Sequence, residues 1–139
     1  MPDQESLFES LSNEANIVRL YLEASMKPDP DLAATYVADD VIITFTGGKV
    51  FNHPSGPTSI NKGRYAWVKK RLARFDECHA ADGIVVYSLG TLYGEWPDGE
   101  SFEGNRYIDR FLVSDNKIAT MDVWNDSAER ILVRQGISA

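Results

Sequence analysis

A chain of 139 residues fits one domain, 1–139, able to bury about two thirds of its unfolded surface around a single core. With 43% hydrophobic and 25% charged residues and no apolar run near the roughly 20 residues of a membrane span, the composition is that of a soluble globular protein without a membrane partner. Fourteen Lys and Arg against 21 Asp and Glu leave a net charge of -7, which argues against nucleic acid and anionic lipid and for a small or neutral ligand.

The N-terminal MPDQESLFES has no basic and apolar signal pattern, and the single cysteine, Cys78, has no internal disulfide partner. Both fit a cytoplasmic address. In SNEANIVRLYLEASMKPDPD, Ile17, Leu20, Tyr21 and Ala24 recur at helical spacing, with Ser12 or Asn13 as the cap and Pro28 and Pro30 as the stop. A second short helix is predicted in DPDLAATYVADD, capped by Asp29 or Asp31. VIITFTGG reads as a β-branched strand running into a glycine turn. NHPSGPTS reads as a loop, and INKGRYAWVKKRLARF as a third helix on Ile60, Tyr65, Val68 and Leu72, with KKRLAR as its solvated C-terminal end. FDECHAA, IVVYSLGTLYGEW, SFEGNRYIDRFLV and KIATMDVWND then alternate as four strands, joined at Ala81 to Gly83, PDGE and SDN. This order predicts an α+β domain, a curved and mostly antiparallel sheet with three helices on its concave face.

One residue breaks the pattern. In SFEGNRYIDRFLV, Tyr107, Asp109, Phe111 and Val113 share a face that belongs in the core, and a buried carboxylate needs either a cation or a reason to stay protonated. Arg106 and Arg130 are the candidate cations. TGGK lacks the spacing of a phosphate loop, and His53 and His79 lie too far apart in sequence, without carboxylate partners, to suggest a metal. Cys78 and His79 are adjacent on a strand and point to opposite faces, so they do not form a nucleophile and base.

The strings YVADDVIIT, DNKIATMDVWND and LVRQG, in this order, resemble the NTF2-like superfamily near its SnoaL-like cyclases and ketosteroid isomerases, over Asn13 to Gly136. The resemblance implies a cone-shaped barrel, a concave pocket, no cofactor and a homodimer through the outer sheet face, where Thr91, Tyr93 and Glu95 alternate with apolar residues. It places Tyr21 and Asp109 on the two isomerase hydrogen-bond donors, the aspartate held neutral by an apolar pocket. The isomerase base falls on Phe45, so that proton shuttle is absent. His79 and Asp126 are the family-implied replacements for moving protons, Asp126 only if a bulge near Trp124 turns it inward. Phe45, Tyr65, Tyr107, Trp124 and Asn125 are the expected pocket residues. The fold hosts many activities. The expectation is therefore a cofactor-independent isomerase, cyclase or dehydratase acting next to a carbonyl of a largely apolar metabolite. A non-catalytic binder of a hydrophobic metabolite and a dimerising assembly module are the alternatives.

Overall fold

The computed structural model describes residues 4–139. Its helices are α1 (Gln4–Glu9), α2 (Asn13–Met26), α3 (Pro30–Ala34), α4 (Ser55–Arg64) and α5 (Ser127–Arg134). Its strands are β1 (Val37–Thr44), β2 (Val50–Phe51), β3 (Trp67–Ala80), β4 (Gly83–Glu95), β5 (Ser101–Ser114) and β6 (Lys117–Asn125). They form one open, curved sheet in the order β2-β1-β6-β5-β4-β3, antiparallel except where β1 runs parallel to β6.

Local chemistry accounts for the elements. Ser12, in extended backbone, accepts the Ala15 amide at 3.1 Å and starts α2, satisfying an N–H that would otherwise be orphaned. Its hydroxyl also donates to Glu77 on β3, which fixes this end of the helix to the sheet edge. Asp29 caps α3 by accepting the Leu32 amide at 3.0 Å. Asp115 and Asn116 both have positive φ, the tight hairpin turn between β5 and β6. Gly104, at φ 82, bulges β5 so that Phe102 and Asn105 both face inward despite standing three positions apart.

The core lies between α2 and the concave face. Val18, Tyr21 and Leu22 of α2 meet Ile43 of β1, Val86 of β4, Phe111 of β5 and Ile118 of β6, all buried. Tyr21 sets its ring edge-on to Phe111 at 5.9 Å. Each of the larger apolar side chains contributes about 1.5–3 kcal/mol by leaving water.

The expected third helix is corrected. The helix is α4, which begins in the segment read as a loop and stops at Arg64, and the stretch from Trp67 onward is strand. Pro57 lies in the first turn of α4, where a missing N–H costs nothing. Tyr65 is already extended at φ -129, and Val68, Lys70 and Leu72 then repeat with period two, not 3.6. KKRLAR is therefore part of an edge strand and not a solvated helix end. Helices α1 and α5 were not anticipated.

Candidate functional site

The C-terminal half of α2, α4, the start of β3 and the inner face of β6 enclose a cavity of about 80 Å³, walled by Tyr21, Met26, Phe45, Lys70, Met121 and Asn125 among others. It shares Ser25, Asn61, Tyr65 and Val68 with an outer groove of about 350 Å³ between Lys27, Lys62 and Trp67. The inner chamber alone holds two or three waters, at about 30 Å³ each. Together with the groove it reaches the size of a small-ligand site.

Asp109 has no exposed surface, and its partner is Lys70, whose ammonium forms an ion pair with Oδ2. Arg106 pairs instead with Asp126, and Arg130 lies against the Glu103 carbonyl, so neither expected arginine reaches Asp109. The Lys70 ammonium also sits 4.5 Å from the centre of the Tyr107 ring. This reach depends on β4, where the concave-face positions that follow Leu92, the register partner of Lys70, toward Asp109 are the small Gly90 and Ser88. A Cβ at Gly90 would collide with the Arg71 carbonyl oxygen and press on Tyr107.

Burial pushes the Asp109 carboxyl above the ordinary carboxylate range, and the Lys70 ammonium pulls it part of the way back. Its second oxygen, Oδ1, has no hydrogen-bond partner among the described residues. Lys70 is 18% exposed and lines the cavity, while Asp109 stands behind it. The cavity-facing member of the pair is thus the lysine.

Other polar groups are held in defined roles. Ser127 Oγ accepts from the Tyr65 hydroxyl at 2.6 Å and from Asn105 Nδ2 at 3.0 Å, all three groups lying out of water. Burial raises the Tyr65 phenol, and the Ser127 contact opposes the rise. The Ser127 amide in turn donates to Asn125 Oδ1 at 3.0 Å, which leaves the Asn125 amide nitrogen as a donor at the cavity wall. The Tyr21 hydroxyl bonds to Ser25. Its ionisation is driven up first by burial, and the Asp109 charge adds to this. Among the described residues, no Asp, Glu or His lines the cavity or the groove.

No family model matches the chain, and no curated protein matches it. Solved structures do. An NTF2-like protein of unknown function from Burkholderia pseudomallei superposes with TM-score 0.71 at 18% identity, over 87% of this chain and 96% of the other. TerC, co-crystallised with polyporic acid, gives 0.70 at 13% identity, over 88% and 99%. A protein with a ketosteroid isomerase-like fold from Catenulispora acidiphila, in complex with trimethylamine, gives 0.64 at 15%, over 78% and 83%.

The fold is NTF2-like. Within this NTF2-like frame the expected site residues separate into two groups. Tyr21, Phe45, Tyr65 and Asn125 all reach the cavity, and Phe45 presents no acid or base there. Tyr107 is buried one layer back, its hydroxyl 2.8 Å from Ser88 Oγ and its ring beneath Lys70.

His79, Asp126 and Trp124 do not reach it. His79 shares the concave face of β3 with Glu77, but it is exposed and nine residues beyond Lys70, roughly 30 Å at 3.3 Å per residue. Because β3 begins at Trp67, this histidine lies past the N-terminus of α2. Strand β6 keeps its alternation from Met121 through Trp124, its one register shift against β5 falling at Leu112/Val113, so no bulge turns Asp126 inward. Asp126 accepts from Arg106 Nε at 2.6 Å, and that bond holds its carboxyl below the usual range. Trp124 is 54% exposed on the convex face.

Lys70 is the site residue that sequence reasoning missed. Its signal was the alternation Val68, Lys70, Leu72, which sets one cation on an otherwise apolar face.

Proposed function

We propose that this chain is a small-molecule pocket protein that binds a largely apolar carbonyl compound and catalyses proton transfer next to that carbonyl without a cofactor. The observation that supports it is the Lys70–Asp109 pair, the lysine in the cavity lining and the aspartate buried behind it. A carbonyl oxygen directed at Lys70 takes a hydrogen bond from the ammonium and a second from the Asn125 amide. Solvent entering through the groove takes the proton from the neighbouring carbon and later returns one to it, and both bonds strengthen as the oxygen becomes an enolate. Asp109 keeps the ammonium oriented and compensates its charge in a dry site. One such donor is worth about 10²–10³ in kcat. Tyr21, tied to Ser25, supports the same wall.

The test is deuterium exchange at the carbon next to the carbonyl in a panel of aryl ketones, followed by proton NMR in D2O. Exchange above the buffer rate that disappears in Lys70→Met supports the reading. Binding without exchange for every ketone overturns catalysis and leaves the second reading, a non-catalytic binder. That reading is favoured by the lack of any described carboxylate or imidazole on the cavity wall to act as a separate base.

The same proposal includes a homodimer through the convex face, where Ile42, Ile108 and Trp124 are exposed. Light scattering at micromolar concentration should give twice the 15.5 kDa chain mass, and a monomer mass removes this part.

A further inference from the structure

Asp and Glu outnumber Lys and Arg in this chain by 21 to 14, yet the charged residues lining the cavity and groove are all lysines: Lys27, Lys62, Lys69 and Lys70. They differ in what they offer. Lys70 is neutralised by Asp109. Lys69 is paired in register with Tyr93, a position of the convex face, so its side chain leaves the groove. Lys27 follows the last turn of α2 and Lys62 lies in the last turn of α4, both lining the groove, and neither has an ion pair among the described residues.

Lysines at helix C-termini are stabilising for the helix alone, and that explains each singly. It does not explain why a strongly acidic chain keeps every described carboxylate out of the lining of this cavity and groove. Beside these lysines the groove presents Met26, Pro28 and Tyr65, an apolar bed for a flat ring, while Trp67 turns its ring onto Tyr93 of the convex face.

We infer that the site selects a monoanionic, otherwise apolar ring compound, with its acid group at Lys27 and Lys62 and its ring in the groove. This deepens the proposed function and rests on the pocket reading. It places the acid at the mouth and leaves Lys70 free for a carbonyl further in. The negative field of the rest of the surface opposes anions elsewhere, so selectivity arises locally.

The experiment is an NMR titration of the 15N-labelled chain at low salt with 2-naphthoate, 2-naphthamide and 2-naphthylmethylammonium. These probes share a ring and differ in charge. Two exposed cations at up to about 1 kcal/mol each predict naphthoate binding about tenfold tighter than the amide, with the ammonium weakest. Lys27→Gln/Lys62→Gln should abolish the tenfold preference and leave amide binding unchanged, and physiological salt should reduce the preference in the wild type. Equal affinity for naphthoate and naphthamide overturns the inference and leaves the pocket reading intact, as does a double variant that keeps the preference. Failure of all three probes to shift the amides of α2, α4 and β3 overturns both.

Discussion

Lys70→Met removes the cation and leaves the Asp109 carboxyl sealed in the core. The cost is bounded by the proton. A carboxyl with an unfolded pKa near 3.9 that must stay neutral when folded costs about 1.4 kcal/mol for each pH unit above that value, hence about 4 kcal/mol at pH 7 and about 1.5 at pH 5. The sign follows from linkage: the folded pKa of Asp109 is raised, so its contribution is fully present below the unfolded pKa and is lost as pH climbs toward the folded one. In the wild type Lys70 limits that loss, and in the variant nothing does. The burial of a methionine in place of an ammonium offsets part of it, since pairs of this kind are not net stabilisers against apolar replacements. We therefore expect the unfolding free energies of the two proteins from urea titration to lie close together at pH 5 and to separate by several kcal/mol at pH 8, with equal m-values. A variant whose deficit is the same at pH 5 and pH 8 would refute the buried pair. Lys70→Met/Asp109→Leu should recover most of the loss at pH 8.

Ser127→Ala strands the Tyr65 hydroxyl and Asn105 Nδ2 without their shared acceptor and should cost about 1–3 kcal/mol by urea denaturation. Gly90→Ala drives a methyl into the Arg71 carbonyl and the Tyr107 ring, and should destabilise by about 1–3 kcal/mol or more while moving the Lys70 side-chain signal in NMR spectra. His79→Ala, at an exposed strand end, should change stability by no more than about 0.5 kcal/mol and leave ligand binding untouched. A loss of ligand binding in His79→Ala would return that residue to the site.

The alternating strands after Phe75 and the caps at Ser12 and Asp29 were readable because each is a local signal, a period of two or a single side chain facing its own helix. The same holds for the inward face of β5, which placed Asp109 in the core correctly from its neighbours Tyr107 and Phe111. What failed was long-range. Lys70 and Asp109 meet across an intervening strand, a contact with no trace in the local spacing of either residue. The error in the third helix hid it further, since a lysine assigned to a helix end is given to solvent. His79 was misplaced for the same reason: its strand was started eight residues late, and a residue near the end of the real strand was taken as one near its beginning.

The strand that carries Lys70 is also the edge of the sheet. β3 is tied to β4 along its length and, among the described residues, to no strand on its other side, so about half of its amides have no ladder partner. Hydrogen exchange should be uneven along it, fast on the free edge and slow on the side bonded to β4. A strand edge is also a template for another chain, and Lys69, Arg71, Arg74 and Asp76 set charges along this one, with a bulge at Ala73 that breaks its regularity. The wall of the pocket is therefore laddered on one side only, with α2 touching its other side at Met26 and Ser12, and the charges along it discourage pairing with another strand.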